Sequence, residues 1–188
     1  IWFTNSLLAR QPEGYNEMAL FASSSTLRML VIFAPTAIST VSASVLNNVL
    51  GAENKEKYKK VFLANLLTNV IISFSTAGLI AVFAPRLLSI FGKDFSSGTD
   101  VLRVMMLSAL FEAISIALFQ HIQAQGKIWL TFFAIIVPRE IVFLLTALYL
   151  VPTHKALGLA ISFAVAFAVC MVATAVVVYW IRKTKPKP

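Results

Sequence analysis

The sequence predicts an all-α integral membrane protein, and three observations carry that prediction. Hydrophobic residues make up 59% of the 188 and charged residues only 13%, well below the roughly one quarter found in a soluble domain. Mean hydropathy is +0.82. Several apolar runs reach the roughly 20 residues that cross a bilayer as a helix. They lack the two-residue alternation of a lipid-facing barrel strand.

The elements follow in order. The chain opens on Ile1-Trp2-Phe3 within an apolar segment of about nine residues (1–9), roughly 13 Å of helix, so we expect a fragment of a longer protein with its first helix truncated. That segment ends at Arg10 and the turn Gln11-Pro12-Glu13-Gly14. A second helix is expected over 15–50, roughly 53 Å long, bent at Pro35. Gly51-Ala52-Glu53-Asn54 then reads as a helix stop. The third covers 58–83 and ends at Pro85. Arg86 to Phe91 reads as a short interfacial helix before Gly92 and an acidic, serine-rich loop. The fourth spans 101–123 and the turn Ala124-Gln125-Gly126-Lys127 follows. The fifth spans 128–150 and is interrupted by Pro138. Pro152-Thr153-His154-Lys155 forms a loop to the last helix, 157–181, and a basic tail over 182–188.

The net charge of +8 encodes topology rather than nucleic-acid binding. Lys55, Lys57, Lys59, Lys60, Lys127, Arg182, Lys183, Lys185 and Lys187 fall on one side if the helices alternate. Arg10, Arg86, Lys93, Arg103 and Lys155 fall on the other, among Glu13, Glu17, Asp94 and Asp100. The lysine-rich side is therefore cytoplasmic by the positive-inside rule, with the C-terminus on it. The single Cys170 supports neither a disulfide framework nor a thiolate metal site.

Chemistry must come from the few polar groups at membrane depth, where an ionisable residue costs a few kcal/mol and marks a pathway or a pair. Arg139 lies about 18 Å in from Lys127, near the midplane. Glu140 follows it, and the 100° step of a helix predicts that the two point apart. Glu112 is near mid-depth in the fourth helix, with Ser108 and Ser115 on its face. Arg28, behind Ser23, Ser24 and Ser25, counts to roughly 33 Å from Leu50. That places it at the outer mouth, sharing a face with Glu17 that looks into a wet vestibule.

Each group has two readings. Arg28 is either a snorkelling interfacial arginine or a cavity residue. Glu112 and Arg139 either pair with each other between consecutive helices or meet substrate. Glu140 binds a serine or backbone group, or tunes charge. His121, beside Gln120 and Gln123, reads as part of a headgroup-level polar cluster rather than a proton relay. Pro35 and Pro138 are passive kinks or hinges of the kind transporters use. No Gly-rich phosphate loop, metal-spaced cluster or nucleophile–base pair is visible, so we expect no enzyme, no cofactor and no metal.

Asn5 with Leu7-Leu8-Ala9-Arg10, Glu17, Leu27-Arg28, Phe33-Ala34-Pro35, Ile38, Val45-Leu46-Asn47-Asn48, Leu50-Gly51, Tyr58, Phe91-Gly92, Phe95, Gly98, Val101-Leu102 and Gly158-Leu159-Ala160 occur in this order. The pattern resembles the second half of polysaccharide flippases, the O-antigen and capsule translocases of the multidrug/oligosaccharidyl-lipid/polysaccharide exporter superfamily. The resemblance implies the C-terminal six-helix bundle of a twelve-helix, MATE-like transporter in the bacterial inner membrane. It implies alternating-access flipping of an undecaprenyl-pyrophosphate-linked oligosaccharide for polysaccharide or lipopolysaccharide biosynthesis. Its expected partners are that lipid-linked oligosaccharide, membrane lipids, the missing N-terminal bundle, a polysaccharide polymerase and a chain-length regulator, with no nucleic acid.

Arg139 and Arg28 are then expected to meet the pyrophosphate, because a guanidinium stays charged and donates a two-pronged bond to phosphate. Glu112 and Glu140 would tune that charge or couple movement to a cation or proton. The alternatives are a cation-coupled multidrug exporter of the same fold and an integral-membrane transferase of the same pathway.

Overall fold

The computed structural model describes residues 2–11, 13–92, 95 and 98–184, and the described residues contain helices and turns but no strand. Helix α1 is Trp2–Ala9, α2 Gly14–Gly51, α3 Lys55–Val82, α4 Ala84–Phe91, α5 Thr99–Ala124 and α6 Ile128–Thr131. A π-turn, Phe132–Ile136, joins α6 to α7, Val137–Thr184. Among the described residues, four helical stretches are long and apolar enough to cross a membrane: Gly14–Gly51, Lys55–Val82, Thr99–Ala124 and Ile128–Ile181.

Local chemistry sets the ends. The Asn54 side chain accepts the Lys57 N–H at 2.9 Å and starts α3, meeting one of the amide donors a helix start leaves unpaired. Gly126 takes φ 72° after α5, a left-handed conformation open to glycine at little cost. The π-turn sits immediately before Pro138. Proline has no N–H and its ring crowds the carbonyl four residues back, here that of Ala134, so the chain absorbs one extra residue before helix resumes. The interruption expected at Pro138 thus lies in the preceding turn. Around Pro35, by contrast, α2 runs without a break in helical backbone.

The loop expected over Pro152–Lys155 is corrected by the structure. Helix continues through Pro152, and only Lys155 leaves it, at φ 49°, ψ −127°. The two arms of α7 fold back antiparallel there: Phe143 meets Phe163 and Arg139 meets Phe167, and Lys127, just ahead of α6, meets Trp180 of the second arm. Glu17 makes so sharp a corner possible. Its Oε2 accepts the Ala156 N–H at 3.0 Å, and its Oε1 lies 3.8 Å from Lys155 Nζ. The second arm is therefore capped from α2 rather than by its own loop.

The interior has two apolar clusters with a polar layer between them. One gathers Leu8, Phe21, Val31, Leu102, Met105 and Leu159 toward the end that carries Glu17 and Lys155. The other gathers Leu46, Phe62, Ile122, Ile135, Val178 and Ile181 toward the lysine-rich end. On α5, Ala109 belongs to the first cluster and Leu118 to the second, so Glu112 falls between them. Arg139, between Ile135 and Ala147, and Phe167, between Ala160 and Cys170, fall in the same gap. Large apolar side chains such as Phe33, Ile71, Val82, Leu145 and Val176 point outward, as lipid-facing residues do.

Candidate functional site

The polar layer is built by three elements. Arg28 of α2 donates from Nε to Ser108 Oγ at 2.9 Å and pairs through Nη2 with Glu112, both on α5. Its guanidinium carbon lies 4.8 Å from the Phe167 ring centroid and 5.4 Å from that of Phe163. Arg139 approaches the same Phe167 ring at 5.3 Å. A cation is drawn to the face of an aromatic ring within about 6 Å, so one phenyl group holds both guanidinium groups close together. Arg139 in turn pairs with Glu140 through Nε and Nη2.

Exposure separates the four charged groups. The Arg28 and Glu112 side chains are 10% and 20% exposed, those of Arg139 and Glu140 28% and 51%. The first pair is interior and the second opens onto the surface of the bundle. Depth follows from the arm that carries Arg139. Trp129 and Tyr149, both strongly exposed aromatics, each stand ten residues from Arg139, or roughly 15 Å of helix. Aromatic belts mark the two membrane interfaces, and on that rule Arg139 and the groups around Phe167 are expected near the middle of the span.

Several expectations are corrected here. Glu112 is partnered by Arg28 of α2, not by Arg139 of the helix that follows it. Arg28 does not face an open vestibule with Glu17: the residue is 8% exposed, while Glu17 is engaged at the α7 corner. Arg139 and Glu140 do meet, since both side chains are long enough to reach around the 100° between their Cα–Cβ directions.

His121 is buried, at 3% exposure, in the last turn of α5. It bonds Tyr58 Oη through Nδ1 at 2.9 Å and Gln125 Nε2 through Nε2 at 3.0 Å, with the Phe62 ring 4.5 Å away. Its partners are Tyr58 and Gln125, where Gln120 and Gln123 were expected. Lys127, which stood alone in the sequence, lies 5.0 Å from the Trp180 ring centroid. Lys93, Asp94, Lys185 and Lys187 lie outside the described residues.

Sequence reasoning missed the aromatic platform and a second polar group. Phe163 and Phe167 are one turn apart, a spacing that puts them on one face, but phenylalanines are too common here for that to stand out. Asn65, Asn69 and Ser73 repeat at four-residue spacing on α3 and are all buried, against Ser39 of α2. That periodic polar stripe in an apolar helix was a legible signal. Two open clefts, of about 310 and 360 Å³, flank Glu17 at the end of the bundle, away from the charged layer. Among the described residues, no three His, Cys, Asp or Glu side chains are grouped to hold a metal ion.

A family model described as MatE matches residues 2–148. No curated protein and no solved structure matches the chain.

Proposed function

The chain belongs to the MatE family of membrane transporters, and on that premise we propose that it moves a lipid-linked oligosaccharide across the bacterial inner membrane by alternating access. The cargo of this reading is an undecaprenyl-pyrophosphate-linked repeat unit for O-antigen or another polysaccharide. MatE members are transporters rather than enzymes, so the cargo leaves chemically unchanged.

The observation that carries the reading is the partly exposed guanidinium of Arg139, midway along its arm between the exposed Trp129 and Tyr149 and beside a second guanidinium on the same phenyl ring. Two positive groups near one surface of a membrane bundle suit a diphosphate that must pass the middle of the bilayer. Arg139 makes first contact by exchanging Glu140 for phosphate oxygens. Arg28 is held by Glu112 and Ser108 and joins only if Glu112 lets go, which makes Glu112 the charge-tuning group. Glu140 competes with the cargo for Arg139. The lysine-rich end is cytoplasmic in this reading, so cargo enters from the side of Lys57 and Lys127.

Vesicles holding the full-length transporter and a fluorescent lipid-linked sugar test it. Arg139→Ala and Arg139→Lys should each slow translocation at least several-fold, because lysine cannot reproduce the two-pronged contact. Full activity of the Ala variant at normal expression overturns the assignment. A cation-coupled drug exporter is favoured by one observation, that Glu140 is the most exposed of the four charged groups. Glu140→Gln separates the two: it should tighten binding of an anionic cargo and weaken binding of a cationic one.

A further inference from the structure

On the side of α2 that faces α3, the buried surface is polar where the two apolar clusters leave off. Ser39, Asn65, Asn69 and Ser73 are each 2% exposed or less. Asn69 Nδ2 donates to Ser39 Oγ at 2.9 Å and to Asn65 Oδ1 at 2.8 Å. Yet Asn65 Nδ2, Asn69 Oδ1 and Ser73 Oγ are buried with no hydrogen-bond partner in the protein. Each such group costs on the order of 1–3 kcal/mol when left unpaired, and inside a membrane bundle there is no bulk water to repair it.

A fourth polar group belongs to the same place. The helices are antiparallel, Ser39 meets Asn69, and one turn toward the Glu17 end brings Pro35 beside Ser73. Residues on either side agree with this register, since Val31 and Ala77 share one cluster and Leu46 and Phe62 the other. Pro35 is buried and has no N–H, so the Val31 carbonyl loses its partner four residues on. One amide donor, two carbonyl acceptors and one hydroxyl therefore line this seam over the two turns of α3 from Asn65 to Ser73, which end beside the only proline within α2.

We propose that this seam is an internal water-binding site, and that the hydrated turn at Pro35 is where α2 bends during the transport cycle. Water fits the set because it both donates and accepts, and buried waters typically satisfy two to four such groups. A dehydrated metal cation fits worse: it would use the oxygens but face the Asn65 amide donor, with no carboxylate in the group to neutralise it. Water between the helices also exchanges partners at low cost, so a proline-weakened turn can open and close without stranding a backbone carbonyl. The inference stands apart from the identity of the cargo, since none of these residues touches the Arg139 group.

X-ray hydroxyl-radical footprinting of the full-length protein in nanodiscs tests it, because radicals form at bound waters. After correction for intrinsic reactivity, Pro35 should oxidise several-fold faster than Leu102 and Leu159, which are also buried but lie within the apolar cluster. Rates no greater than those of Leu102 and Leu159 overturn the water site. Ser73→Ala removes one hydroxyl without adding bulk and should lower labelling at Pro35, as should Asn65→Leu. Unchanged labelling in a folded Ser73→Ala protein removes Ser73 from the site. The bend is read separately, by electron-spin distances between labels at Tyr15 and Val45, both exposed. A broad or two-peaked distribution that narrows in Pro35→Ala is expected, and one narrow distance in both proteins overturns it.

Discussion

Arg28 and Glu112 show how far a residue's partner lies beyond what its sequence position tells. They are 84 positions apart, and no periodicity within α2 or α5 marks one as belonging to the other. That two ionisable groups sat inside apolar helices was legible, because such groups are costly enough to demand a partner. Which partner was a matter of packing, and the nearer choice, Arg139, proved to be satisfied by its own neighbour. The energetics give a sharp expectation. Removing one member of a buried pair strands the other charge and costs about 3–5 kcal/mol, whereas replacing both with apolar residues of similar size is often nearly neutral. Arg28→Met and Glu112→Leu alone should each lower the thermal unfolding midpoint of the full-length protein strongly. The double variant should recover most of the loss. If the double variant is as unstable as the two singles added together, the pair is not coupled.

At the scale of the element, the α7 corner is where local rules were overridden from a distance. Pro152, His154 and Lys155 read as a loop because proline and charged residues close an apolar run. The structure instead keeps helix up to a single left-handed residue, because Glu17 of α2 receives the amide that a loop would otherwise have to satisfy. Two substitutions test this corner in opposite directions. A Cβ at Gly158 would lie 2.4 Å from the Leu150 carbonyl oxygen, a backbone atom that cannot move aside. Gly158→Ala should therefore destabilise by about 1–3 kcal/mol, the usual cost of overpacking. Lys155 holds φ 49°, where a side chain strains the backbone. Lys155→Gly relieves that strain but loses the contact with Glu17, which at 3.8 Å and a partly exposed site is worth well under about 1 kcal/mol. The net expectation is unchanged or slightly raised stability, read by thermal unfolding, and a large loss would show the Lys155–Glu17 contact to be the stronger term.

The whole molecule reads most directly from composition, because a bilayer restricts a chain of this hydropathy to helices that satisfy their own backbones. Apolar run length and Pro/Gly punctuation therefore carry the all-helical architecture, while the split of the interior into two apolar clusters around a polar layer needed the packing itself. Sidedness is the remaining global property, and it rests on charge together with aromatic position. Lys55, Lys57, Lys59, Lys60, Lys127 and Lys183 gather at one end of the bundle, close to Trp129, Tyr179 and Trp180, which are all exposed. Lys155, Arg86 and Arg103 stand toward the opposite end with Tyr15 and Tyr149. Retention of lysine and arginine on the cytoplasmic side then predicts opposite accessibility for single cysteines at the two ends. In a full-length background with Cys170→Ser, a membrane-impermeant maleimide added to intact cells should label Lys155→Cys and spare Lys57→Cys and Lys183→Cys. All three should label once the membrane is opened. Labelling of Lys57→Cys in intact cells would invert the topology, and with it the side from which the proposed cargo would reach Arg139.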